Sequence, residues 1–125
     1  VEPINRYETN FVNTAADALG VVDELGLPNV GVLLDSFHMN IEERSIVEAI
    51  ESAAGRLVNF HFADSNRLAP GWGHTDMASI VSALRSIGYD GYLSMEIMRT
   101  PTPEAAAAQA LSHTRGLLCN PAATT

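Results

Sequence analysis

The run Val30-Gly31-Val32-Leu33-Leu34, closed by Asp35, decides the fold. It is apolar without alternation, which is the pattern of a short strand buried on both faces. Pro28 and Asn29 turn the chain into it. Before it, Ala15, Ala18, Leu19, Val22 and Leu25 recur at spacings of three and four and predict a helix from Thr14 to Leu25, stopped by Gly26. After it, Ile46, Val47 and Ile50 predict a second helix over Ser45 to Ala54, with Gly55 as its stop. Leu57 to Phe62 is the next strand. Beyond the loop Pro70-Gly71-Trp72-Gly73, Asp76 caps a third helix striped by Ile80, Val81, Leu84 and Ile87 and ended by Gly88. Gly91 to Glu96 is a further strand, and Pro103 opens an alanine-rich helix running to about Leu118.

At the start, Val1 and Glu2 are the tail of a strand cut by Pro3. The chain is therefore α/β, with four consecutive βα units. Single helices between strands imply parallel pairing with right-handed crossovers. Two architectures use such units: an open doubly wound sheet, or a (βα)8 barrel of about 250 residues, of which four units are half. No G-x-G-x-x-G run follows the first strand, which weakens a dinucleotide-binding reading. Residues 1–119 are expected to be one half-barrel unit and 120–125 a flexible tail. Val1 in place of methionine, with a strand-like start, leads us to expect a fragment of a longer chain.

Composition narrows the function. The 125 residues carry seven basic groups, all arginine, against fifteen acidic ones, for a formal charge of −8. That balance argues against nucleic acid and anionic membrane as partners. No apolar run approaches the ~20 residues of a bilayer span. The single Cys119 allows neither an intrachain disulfide nor a thiolate zinc cluster, and a cytoplasmic location is expected.

Polar residues interrupt or close each strand: Glu2, Asp35, His61 and Glu96. One acid after a strand is ordinarily just the start of a loop. Three carboxylates and an imidazole in four strands point to a site at the C-terminal strand ends, where parallel α/β folds bind ligands. Converging carboxylates repel one another and raise each other's pKa unless a cation intervenes. Mostly oxygen donors with one nitrogen suit a hard or borderline divalent ion such as Mn²⁺, Mg²⁺ or Co²⁺, with zinc better served by more histidine or cysteine. His38, Glu8 and Arg67 lie on the same loops, where loop hydrogen bonding, solvation or pairing with Asp64 would explain them equally well. Trp72 is read as a buried structural residue, and His113 as a structural residue of the last helix.

Four segments, Glu2-Pro-Ile-Asn-Arg-Tyr-Glu8, Leu34-Asp-Ser-Phe-His-Met-Asn-Ile-Glu-Glu43, His61-Phe-Ala-Asp-Ser-Asn-Arg67 and Gly88-Tyr-Asp-Gly-Tyr-Leu-Ser-Met-Glu96, together resemble the ketose 3-epimerases of the tagatose/psicose type. Those enzymes belong to the xylose-isomerase-like TIM barrels of the sugar phosphate isomerase/epimerase superfamily. The resemblance implies the second half of a (βα)8 TIM barrel. It further implies Glu2, Asp35, His61 and Glu96 as metal ligands, Glu2 and Glu96 as the catalytic acid/base pair, and Glu8, His38 and Arg67 as contacts to sugar oxygens. The expected function is a metal-dependent isomerase that epimerises a small-molecule ketose at C3 through a metal-stabilised enediolate. The competing readings are an aldose–ketose or hydroxypyruvate-type isomerase, and a half-barrel inactive alone. Four βα units leave open sheet edges, so the expected partner is a second copy or the remainder of the barrel.

Overall fold

A computed structural model describes residues 1–119. The tail expected over 120–125 lies outside the described residues. The first helix, α1 (Ala15–Leu25), starts at a reciprocal cap in which the Thr14 side chain accepts from the Asp17 N–H and the Asp17 carboxylate accepts from the Thr14 N–H. It ends on Gly26 in the left-handed region, φ 60°. Strand β1 (Val32–Asp35) follows, then α2 (Ser36–Glu42), α3 (Ile46–Ser52), β2 (Leu57–His61), α4 (Met77–Ser86), β3 (Leu93–Ser94) and α5 (Pro103–Cys119). Ser45 and Asp76 cap α3 and α4 through their side-chain oxygens.

The three strands form a parallel sheet in the order β1-β2-β3, with Asp35 beside His61 and His61 beside Ser94. Val1 extends this ladder on the far side of β1. Its amino group donates to the Gly31 carbonyl at 2.7 Å, and its own carbonyl accepts from the Leu33 N–H at 2.9 Å. The first unit thus contributes one paired residue instead of a regular strand.

Val32, Leu34, Phe60 and Phe62 form the buried centre of the sheet, against Ala18 and Val22 of α1, Ile50 of α3, and Ile80, Val81 and Leu84 of α4. Helix α5 contacts α4, and Ala106, Ala110 and Thr114 are its buried residues.

Three expectations need correction. The segment after Asp35 is a helix, α2, because the Asp35 carboxylate caps it by accepting from the Phe37 N–H at 2.8 Å. The last strand covers Leu93–Ser94 and not Gly91 to Glu96. Past Ser94 the chain leaves the sheet, and Met98 donates its N–H to the Arg67 carbonyl at 2.8 Å. Trp72 is 37% exposed, so the reading of it as buried also fails.

Candidate metal centre

Because adjacent strands are in register, Asp35 and His61 arrive side by side at the C-terminal edge of the sheet. Glu2 follows the Val1 pairing on one flank, and Glu96 follows β3 on the other. Each of these four residues offers one ligand atom, and the four atoms lie within 4.8 Å of one another. His61 Nδ1 stands 3.5 Å from Glu2 Oε1, from Asp35 Oδ2 and from Glu96 Oε2. That spacing is long for a hydrogen bond.

Glu2 Oε1, Asp35 Oδ2 and His61 Nδ1 are buried without any hydrogen-bond partner. Buried polar atoms are ordinarily satisfied, so three orphans aimed at one point call for a shared partner. A divalent ion fits the donor set of three carboxylates and one imidazole nitrogen. The electrostatics agree. Burial raises the Asp35 carboxyl to about 6, against the Phe37 N–H and the His61 ring, which pull it down. Burial likewise raises Glu2, opposed by His61 and reinforced by Glu96. Glu96 differs. Burial pushes it up, but the hydrogen bond from Arg67 and the nearby His61 ring and Arg67 guanidinium outweigh that and hold it below the ordinary carboxylate range.

Around this centre the structure gathers Glu8, His38 and Arg67 as well. Arg67 donates from Nη2 to Glu96 Oε2 at 2.8 Å and places Nη1 3.6 Å from Glu8 Oε1. Its guanidinium carbon sits 4.7 Å from the centroid of the Phe37 ring, a cation–π distance. Arg67 adopts φ 62°, an uncommon conformation for a residue with a side chain, in the turn where its N–H meets the Asp64 carbonyl. His38 is buried, with Nδ1 facing Asn5.

Two residues carry site structure that the sequence reading does not assign them: Asn5 has no role there, and Asp64 figures only as a pairing partner for Arg67. Asn5 is 2% exposed and bonds to His38, Glu8 and the Tyr7 N–H. Its position in the Glu2-to-Glu8 segment was the available signal, but an asparagine in a loop has ordinary turn explanations. Asp64 is buried and gathers the glycine-rich loop, accepting from the N–H groups of Ser65, Gly71 and Thr75 at 2.8, 2.8 and 3.0 Å. Gly73 is required there, because a Cβ would collide with Asp64 Oδ1. The His113 ring of α5 lies against Gly71, 2.6 Å from where a Cβ there would stand.

The parallel sheet and its helical crossovers agree with comparisons to known proteins. The family described as xylose isomerase-like TIM barrel matches residues 1–117. The chain is 46% identical over 96 residues to a D-psicose 3-epimerase of Enterocloster bolteae, covering 77% of this chain and 32% of that protein. A solved L-ribulose 3-epimerase superposes with a TM-score of 0.88 at 34% identity, over 94% of this chain and 46% of that one. A D-psicose 3-epimerase crystallised in the presence of D-fructose gives 0.81 at 36% identity, over 95% of this chain and 46% of that one. The chain thus spans about a third of the first of these proteins and under half of the other two, which makes its sheet part of a barrel. It belongs to the xylose isomerase-like TIM barrel family.

Proposed function

We propose that this chain carries the metal centre and the acid/base residues of a ketose 3-epimerase, in the second half of its barrel. The observation that carries this reading is the convergence of three unpartnered buried donors, Glu2 Oε1, Asp35 Oδ2 and His61 Nδ1, beside the Glu96–Arg67 pair. The likeness to named 3-epimerases supports C3 as the reacting carbon. In this reading Glu2, Asp35, His61 and Glu96 hold a divalent ion, Mn²⁺ in preference to Mg²⁺ or Co²⁺. When bound, such an ion supplies an electrophile that polarises the ketose carbonyl and makes the neighbouring C3–H acidic enough to remove.

Inverting C3 needs one group to take a proton from one face and another to return it to the opposite face. Glu2 and Glu96 come from the two flanks of the sheet, with Asp35 and His61 between them. That placement supports their service as the pair. Arg67 holds Glu96 ionised and fixes its orientation. Glu8, His38 and Arg67 contact the sugar hydroxyls. Arg67 is already engaged by two carboxylates, which favours an unphosphorylated sugar over a phosphate ester. Among the described residues no helix is long and apolar enough to cross a membrane. We place the protein in the cytoplasm, paired with a second copy or with the remainder of a barrel.

The test is solvent exchange. A panel of ketoses is incubated in D₂O with Mn²⁺ and either this chain or the longest open reading frame containing it, stopped with EDTA, and read by NMR. Deuterium at C3, lost on Glu96→Gln, is the expected result. Deuterium at C1 alone would transfer the site to aldose–ketose isomerisation, and no exchange in either protein would overturn the sugar reading.

A further inference from the structure

Asn5 lies three residues from the metal ligand Glu2 and is the most buried polar residue of its loop, at 2% exposure. Its amide orientation is fixed by its neighbours. Oδ1 accepts from the Tyr7 N–H at 3.0 Å, and Nδ2 donates to Glu8 Oε1 at 3.0 Å. A flipped amide would set its NH₂ against the Tyr7 N–H and its oxygen against a carboxylate, so the assignment is chemically forced. In this orientation Nδ2 lies 2.9 Å from His38 Nδ1, while the backbone N–H of Asn5 donates to the same nitrogen at 3.2 Å. Two donors aimed at Nδ1 require that nitrogen to be the acceptor. The neutral ring must then carry its proton on Nε2. Burial keeps the His38 imidazole below its ordinary pKa, with Arg67 and His61 adding to the effect and Glu8 and Glu96 opposing it.

We propose that Asn5 is a positioning residue for the substrate-contact pair His38 and Glu8. It fixes His38 as the Nε2–H tautomer, so that the ring presents a donor, and it spaces Glu8 beside it as an acceptor. A donor and an acceptor held by one amide suit a polyol, whose hydroxyls both accept and donate. The proposal rests on the sugar reading of the site for what the pair recognises, but not for how the pair is held.

Long-range ¹⁵N–¹H correlation on the 125-residue chain at neutral pH reads the tautomer of His38 directly. The expected spectrum shows an unprotonated Nδ1 and a protonated Nε2. In Asn5→Asp the Tyr7 bond is kept, but a carboxylate oxygen replaces the donor facing Nδ1, and a proton on Nδ1 is expected in most molecules. Asn5→Ser, which loses the amide and keeps the backbone donor, is expected to retain Nε2–H. A Nδ1–H tautomer in the unaltered protein overturns the proposal, as does an Asn5→Asp ring indistinguishable from it. If Asn5→Asp does not fold, an Nδ1–H tautomer in the unaltered spectrum still overturns the proposal, because both Asn5 donors face Nδ1. Absence of C3 exchange with every ketose would remove the sugar reading and leave this measurement untouched.

Discussion

Arg67 bridges two carboxylates that approach from different loops, with Nη2 2.8 Å from Glu96 Oε2 and Nη1 3.6 Å from Glu8 Oε1. Glu96 Oε2 in turn stands 3.5 Å from His61 Nδ1. One oxygen therefore faces both the guanidinium and the donor cluster, and it couples the candidate metal centre to the residues proposed to hold sugar.

Replacing the fork should uncouple them. Arg67→Ala removes the hydrogen bond that holds Glu96 low, so the Glu96 carboxyl pKa moves up, visible in its carboxyl ¹³C titration. Arg67→Lys offers one ammonium where two nitrogens serve two partners, and it should rescue only part of the function. A lost charged hydrogen bond of about 1.5–3 kcal/mol corresponds to roughly a 10- to 150-fold fall in kcat/KM. A titration curve that does not shift would mean that Arg67 does not set the state of Glu96.

Asp35→Asn separates metal binding from folding. The substituted amide would keep an oxygen for the Phe37 N–H that caps α2, and the change removes a buried charge that burial already disfavours. Thermal unfolding without metal should therefore be unchanged or shifted upward. The unaltered chain should gain about 2.7 kcal/mol when Mn²⁺ reaches a hundred times its Kd, and the variant should lose most of that gain. An equal metal-induced shift in both proteins would exclude Asp35 as a ligand.

The raised carboxyls of the metal-free chain should make it lose stability as pH rises from about 5 to about 7. Burial raises Asp35 to about 6 and also raises Glu2. A carboxyl with a folded pKa above its unfolded value binds its proton more tightly when folded. Its stabilising contribution is thus complete at low pH and disappears as pH climbs through the folded pKa. Asp17, Glu42, Asp64, Asp76 and Glu96, all held low, act in the opposite sense as pH falls below about 5. His38, held below its ordinary value by burial, opposes the trend within the window itself, so the effect of Asp35 is read against Asp35→Asn. Denaturant midpoints at about pH 5 and about pH 7 with EDTA, falling more between the two in the unaltered chain than in Asp35→Asn, would check the sign. Saturating Mn²⁺ should reverse that difference, because the ion takes the ionised carboxylates.

Asp64→Ala should loosen the loop that carries Arg67. Burial opposes the Asp64 charge, yet the N–H groups of Thr75, Ser65, Gly71 and Gly73 hold the carboxyl low. Removing it leaves donors without partners, at a cost of about 2–4 kcal/mol, read as a lower denaturant midpoint. Hydrogen exchange should quicken across residues 65–75 first. Gly73→Ala, whose Cβ would meet the Asp64 carboxylate, should have a similar effect from the other side of the same contact.

Much of this was legible in the chain because the signals are local. Thr14 caps α1 and Asp76 caps α4, and such a cap needs only its own side chain and the N–H three residues on. The polar residue closing each apolar run marked the site, because the pleat and the parallel register carry neighbouring strand ends to one edge. The end of β3 had no comparable signal. Leu93-Ser-Met-Glu96 has a strand's composition, yet the chain leaves the sheet after Ser94 toward the Arg67 loop.

The sequence by itself thus determined the alternation of strands and helices, their caps, and the four ligand-type residues at the strand ends. All of these follow from interactions within a few residues or from the period of the apolar pattern. Only the tertiary structure decided that Asn5 fixes the ring of His38, 33 positions away, and that Arg67 meets Glu96, 29 positions away. Such contacts depend on where separate loops land above the sheet, and no local propensity encodes that distance.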